Sequence, residues 1–172
     1  DARPQRIEME LIATVTQAAL VGESPMFTAL AVRWPALNGV YGEGLLLKPK
    51  GKIVARIIAL GDADHTPEML AGLLPGLPPT AQFARKLAEQ GCEVLLPTLI
   101  DRADTWSGNP QLKLMTNQSH REFIYRMTFQ MGRHIIGYEV QKTLAAVDWF
   151  KLESAALPIG VIGYGEGGLL AL

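Results

Sequence analysis

Six residues near the end of the chain, Gly163-Tyr164-Gly165-Glu166-Gly167-Gly168, carry the spacing with most chemical content. Gly163, Gly165 and Gly168 satisfy G-x-G-x-x-G, in which small residues let a pyrophosphate approach the backbone and rest on a helix N-terminus. That reading needs an acidic residue about 20 positions further on, at the end of the next strand, and the sequence stops at Leu172. Gly163, Gly165 and Gly167 also have the spacing of G-x-S-x-G, a strained strand-to-helix turn that lifts a nucleophilic serine above a sheet. The central position here is Gly165, which has no nucleophilic atom. Ser24, Ser107, Ser119 and Ser154 are the serines of the chain, and none is placed in a strand-to-helix turn. A third reading asks of the glycines only that strand and helix pack closely.

A second candidate is the loop holding Asp62, Asp64, His65 and Glu68. Oxygen ligands at alternating positions could hold a hard cation such as Ca²⁺. The twelve-residue calcium-loop pattern is missing, so the expectation is a solvated loop whose acids cap turns and the following helix. Thr66-Pro67-Glu68 reads as that helix start, with proline in the first turn. His120 and His134 have no ligand partner at metal-binding spacing, and both read as structural or surface histidines. Ion pairs are expected for Arg133 with Glu139 or Arg121 with Glu122. Cys92 has apolar neighbours and reads as an inert buried thiol. Glu166, at a helix N-terminus, suits a structural ion pair better than a general base, because the helix dipole favours its ionised form.

The elements that must position these residues follow from periodicity. Apolar residues at Ile7, Leu11, Ile12, Val15, Ala18 and Ala19 predict an amphipathic helix over 5–20, within an N-terminal helical segment 1–22. Strands are expected over Phe27–Trp34 and Val40–Leu47, an antiparallel pair at one edge of a sheet. Ile53–Leu60 is nearly continuous apolar text, as in a strand covered on both faces. A helix over Ala81–Gln90, closed by Gly91, hands over to a strand at Cys92–Pro97, which makes a βαβ crossover and a parallel pairing. The polar stretch 100–118, with Trp106 and Asn109-Pro110, suits a lid or rim. Ser119-His120-Arg121-Glu122 has capping-box spacing. Helical text then runs to about Phe150, divided near Gly132 or Gly137, and Pro158–Ile162 is a short strand leading into the glycine turn.

Composition narrows the function. The 172 residues carry 16 Lys+Arg against 17 Asp+Glu, which leaves no electrostatic footprint for nucleic acid or an anionic membrane. No apolar run reaches the roughly 18 residues of a membrane span. One cysteine excludes an internal disulfide and any multi-cysteine metal site. The expectation is a soluble α/β protein, with the bacterial cytoplasm and export both open.

Beyond single motifs, the segment order resembles an α/β-hydrolase, nearest the acetyl xylan esterase and dienelactone hydrolase-like branch. The residues that carry the resemblance are Gly42-Glu43-Gly44-Leu45-Leu46-Leu47-Lys48-Pro49, Ile57 through Glu68, Phe83 through Pro97, Gly132 through Glu139, Val147-Asp148-Trp149-Phe150 and the glycine turn. It covers nearly everything from Phe27 onward. The resemblance implies a mostly parallel sheet with flanking helices and an antiparallel N-terminal edge. It implies an elbow at Gly163, Gly165 and Gly167, with Gly165 vacant at the nucleophile position. It also implies an oxyanion hole from the N–H of Glu166 and one N–H in Gly61-Asp62-Ala63. The triad acid and histidine would follow the elbow in chain order, beyond Leu172. The chain is then expected to be the N-terminal part of one larger domain, with the edge beside 158–162 unpaired, and not to fold stably alone. The family implies small carboxylic esters, an acylated carbohydrate or a lactone, as substrate and no cofactor or metal. Without its serine the chain is expected to be inactive by the serine route. The alternatives are a binding or assembly module on the same fold, meeting a protein partner, and a dinucleotide binder through Gly163, Gly165 and Gly168.

Overall fold

The computed structural model describes residues 4, 7–105, 108–109, 111, 114–115, 118–154 and 156–172. In order these form β1 (Glu10–Leu11), β2 (Leu20–Glu23), β3 (Phe27–Leu37), β4 (Val40–Pro49), β5 (Ala55–Leu60), α1 (Pro67–Ala71), α2 (Phe83–Glu89) and β6 (Cys92–Pro97). The short β7 (Gly108–Asn109) and β8 (Leu114–Met115) follow, then α3 (His120–Gln130), α4 (Ile135–Glu153), β9 (Ile159–Gly163) and α5 (Glu166–Ala171). β7 and β8 pair with each other, and the other seven strands form one sheet in the order β1-β3-β4-β6-β5-β9, with β2 also on β3.

The class is α/β, with a mixed sheet. β3 and β4 form the expected antiparallel hairpin, from Phe27 opposite Pro49 to Leu37 opposite Val40, with a register shift between Pro35 and Leu37. β5 pairs in parallel with β6 and with β9, so the βαβ crossover is present. Antiparallel pairing reaches further in than the expected edge, because β4 also runs antiparallel to β6. Parallel pairing among the described residues is confined to β6, β5 and β9.

Alternation sends successive side chains to opposite faces. Leu46, Ile58, Leu60 and Leu95 face a cluster with Ala145, Ala146, Trp149 and Phe150 of α4 and Leu170 of α5. Leu45, Leu47, Ala59, Val94 and Leu96 face Leu70 and Ala71 of α1 and Ala84 and Ala88 of α2. The result is three layers, with helices on both faces. A fully buried leucine or phenylalanine contributes about 1.5–3 kcal/mol, so these two clusters carry most of the fold's cohesion. The fully buried Trp34 spends its polar atom well, since Nε1–H donates to the Lys142 carbonyl of α4 at 2.9 Å.

The helix expected over 5–20 is not formed among the described residues. Glu10–Leu11 and Leu20–Glu23 pair with β3 instead, with Glu10 opposite Arg33 and Leu20 opposite Leu30. Two local causes are visible. The Thr14 Oγ accepts the Gln17 N–H at 3.0 Å, a side-chain bond that competes with helical pairing. Of the apolar positions, Ile7 is buried while Leu11 and Val15 point to solvent, so no helical stripe meets the core.

Further along, the helical text is divided as one of the two options foresaw. α3 closes at Gly132, in the left-handed region at φ 80°, and Gly137 lies inside α4. Of the lid or rim at 100–118, Trp106, Ser107 and Pro110 lie outside the described residues. Its described start packs on α3, where Ala103 and Asp101 carbonyls accept the His120 and Arg121 N–H groups.

One buried charge pair interrupts the apolar text. Arg56 of β5 and Glu93 of β6 are cross-strand neighbours, both buried, joined at 2.9 Å, and Arg56 also donates to the Phe150 carbonyl at 2.8 Å. Glu93→Ala strands a buried guanidinium and should cost about 3–5 kcal/mol, read as the loss of urea unfolding free energy. The double change to Arg56→Met and Glu93→Leu should recover most of it.

Candidate functional site

The glycine turn sits where β9 leaves the sheet and α5 begins. Two backbone bonds tie it to its neighbour strand: the Tyr164 N–H donates to the Leu60 carbonyl and the Gly167 N–H to the Gly61 carbonyl, each at 3.0 Å. Gly165 lies at φ 59°, ψ −126°, a conformation that favours glycine. A Cβ on Gly163 would run into the Gly167 carbonyl, and one on Gly167 into the carbonyls of Leu60 and Gly61. A Cβ on Gly168 would stand 3.5 Å from the Gly163 carbonyl oxygen, an ordinary contact. The steric demand for glycine therefore falls on positions 163, 165 and 167.

Asp62, in the loop after β5, reaches across to this turn. Its Oδ1 accepts the Glu166 N–H at 2.8 Å. A Cβ on Gly165 would lie 2.5 Å from that Oδ1 and 2.9 Å from the Asp62 Cβ. On its other side Arg102 donates to Asp62 Oδ2 at 3.2 Å and to Asp64 Oδ2 at 3.0 Å. The Asp62 carboxyl is held down to about 2, first by the Glu166 N–H, then by Arg102, with the Ala63 N–H adding to them against the opposing effect of burial. The Glu166 N–H, one of the two backbone donors expected to face a substrate oxyanion, thus serves the protein's own carboxylate.

Glu166 continues the chain of charges. Its carboxylate meets Arg121 at 2.6 Å and Arg102 at 3.2 Å. Arg121 also holds Glu139 through two bonds of 2.8 Å, and the Glu139 side chain is 0% exposed. The Ile100 N–H and carbonyl close the same cluster, one to Glu139 and the other to Arg121. The expected ion pairs are corrected accordingly. Arg121 serves Glu139 and Glu166, while Glu122 pairs with Arg126 one turn on at 2.7 Å. Glu139 pairs with Arg121, whereas Arg133 lies over the Tyr138 ring at 5.3 Å.

Sequence reasoning missed Arg102, Arg121 and Glu139 as members of the site. Their partners stand 18 to 64 residues away in sequence, beyond any motif. The only local signal is an acidic residue on the buried face of α4, among Ile135, Ala145, Ala146, Trp149 and Phe150.

The remaining candidates separate. In the 62–68 loop, Asp62 and Asp64 are drawn to Arg102, and Thr66 caps α1 by accepting the Met69 N–H. Among the described residues no group of His, Cys, Asp and Glu is arranged to hold a metal ion. His65 stacks in parallel on Tyr164 with ring centres 6.0 Å apart, and its buried Nδ1 meets no hydrogen-bond partner among the described residues. His120 is buried between Asp101 at 2.8 Å and Thr105 at 3.2 Å, fastening the loop to α3. His134 caps α4 by accepting the Ile136 N–H on Nδ1. Beside the charge network a cleft of about 350 Å³ is lined by Arg102, Arg121, Tyr125, His134 and Ile135, among others. Burial raises the Cys92 thiol above its ordinary range. No described helix is long and apolar enough to cross a membrane.

No family model matches this chain, and no curated protein matches it by sequence. Solved structures do resemble it. A protein assigned as an acetyl xylan esterase from Bacteroides fragilis superposes with a TM-score of 0.66 at 18% identity, over 95% of this chain and 43% of that one. A cold-adapted esterase from an Arctic intertidal metagenomic library gives 0.54 at 16% identity, over 87% and 55%. An acetyl xylan esterase from a Paenibacillus species gives 0.52 at 15%, over 98% and 49%. The chain spans about half the length of these neighbours, and what it shares with them is the α/β-hydrolase type of fold.

Two outcomes test the site's electrostatics. Arg121→Met leaves the buried Glu139 carboxylate unpaired and should cost about 3–5 kcal/mol in denaturant unfolding. Asp62 has a folded-state value near 2, below its ordinary 3.8, so its stabilising effect is complete above about pH 4 and is lost as pH falls through 2. The stability gap between the natural protein and Asp62→Asn should therefore be level at neutral pH and shrink between about pH 4 and 2.

Proposed function

We propose that this chain is the elbow-bearing part of an esterase-like α/β-hydrolase domain in which Gly165 stands at the nucleophile position, so that the serine acyl-enzyme route is absent. The turn at Gly165 carries this reading. It is a strand-to-helix turn at φ 59°, ψ −126°, flanked by close approaches at positions 163 and 167, which supports the serine-elbow spacing over the dinucleotide fingerprint. The esterase neighbours support carboxylic esters, including acylated carbohydrates, as the ligand class. The cleft beside Arg102 and Arg121 is the place we assign to them.

The triad acid and histidine belong, on this reading, to a C-terminal part that would pack beside β9. β9 stands at the end of the strand order and exposes Val161 and Ile162. An unpaired apolar edge of this kind is a template for another strand. A second reading, a binding or assembly module on the hydrolase fold, is favoured by one observation: the Glu166 N–H is already satisfied by Asp62. Glycine offers no covalent route, and with the Glu166 N–H taken by Asp62 the residual of about 10³–10⁴ over water that an open oxyanion hole and binding would leave is not expected either.

The full-length protein should form no covalent adduct with a fluorophosphonate probe. It should turn over p-nitrophenyl acetate at the buffer background. Probe labelling at any residue of this chain overturns the vacant-nucleophile reading, and clear turnover restores an enzyme.

A further inference from the structure

The position that a serine side chain would take at this turn is filled from another part of the chain. The Cβ vector of Gly165 points at the Asp62 carboxylate, with the nearest atom at 2.5 Å. The same carboxylate oxygen lies 2.8 Å from the Glu166 N–H. These are separate facts, one steric and one electrostatic. A remote helix cap would need only the second.

Asp62 is also not free to swing aside. Arg102 binds both of its oxygens, at 3.2 and 3.4 Å, while itself bound to Asp64 and Glu166. Rotating Asp62 away would break the Glu166 bond and loosen the Arg102 bridge in one move. A carboxylate in this place also repels a second anionic oxygen brought to the same N–H.

We propose that Asp62 is a built-in blocker of the glycine turn: its carboxylate occupies both the space of a residue-165 side chain and the position of an anionic oxygen on the Glu166 N–H. A nucleophile at 165 and Asp62 in this arrangement exclude each other, and Gly165 is the residue that admits the blocker. The inference rests on the hydrolase reading above and adds that restoring serine alone does not restore the elbow. Both the glycine and the aspartate must change.

The test compares Gly165→Ser, Asp62→Gly and the double variant in the full-length protein. Fluorophosphonate labelling is located by peptide mass spectrometry. Hydrogen exchange at the Glu166 amide reports on the contact itself. The expected result is labelling at position 165 in the double variant and none in Gly165→Ser. In Asp62→Gly alone, exchange at the Glu166 amide should accelerate about tenfold, the factor expected for one such hydrogen bond. Equal labelling of Gly165→Ser and the double variant overturns the blocker while upholding the hydrolase reading. Unchanged exchange in Asp62→Gly overturns it independently of any labelling. No labelling in either serine variant overturns the reactivation. If the amide has nevertheless accelerated, the failure lies in the hydrolase reading and not in the contact.

Discussion

A carboxylate with no access to water must be neutralised where it stands, and the top edge of this molecule is arranged around how Glu139 meets that demand. Glu139 faces inward from α4. Arg121 reaches it with two parallel bonds, which requires α3 to start where it does. The loop before α3 is then drawn in, because the Ile100 backbone and the first N–H groups of the helix share the same neighbourhood. Arg121 has donors to spare and spends one on Glu166, and Arg102 extends the chain to Asp62 and Asp64. Secondary-structure elements far apart in sequence are thereby locked to one turn by alternating charge. Pairs of this kind are weak sources of net stability but costly to break, so they specify position more than they add cohesion.

The turn itself answers to a different constraint, the close approach of backbone to backbone. α5 crosses β9 and β5 so tightly that carbonyl oxygens occupy the space of two Cβ atoms, at positions 163 and 167. The turn beside it, with Gly165 at positive φ, aims the Glu166 N–H outward. Nature fills such a donor with solvent, substrate or a side chain. Here it is Asp62, whose carboxyl the Glu166 N–H and Arg102 hold well below its ordinary range. The fold supplies the exposed backbone N–H and the sequence supplies the carboxylate that meets it.

Legibility in the sequence followed the range of the forces involved. Short-range rules read well. The β3–β4 hairpin, the Thr66 and Ser119 caps, the crossover through α2 and the strand at 159–163 all come from patterns a few residues long. The N-terminal segment read poorly because its apolar spacing at Ile7, Leu11 and Val15 resembles a helix, while pairing with β3 decides its structure. The charge partners read worst. Arg121 next to Glu122, and Glu139 near Arg133, invite local pairings, yet Arg121 goes to the buried Glu139 carboxylate and to Glu166.

What the sequence determined alone is the α/β class, the three-glycine turn and the absence of a side chain at Gly165, because each depends on local conformation or on the identity of one residue. What only the tertiary structure decided is that Asp62 lies against Gly165 on the Glu166 N–H and that Glu139, Arg121, Glu166 and Arg102 form one connected chain. Those contacts join residues up to 104 positions apart, and electrostatic need acts through space, where sequence spacing leaves no trace.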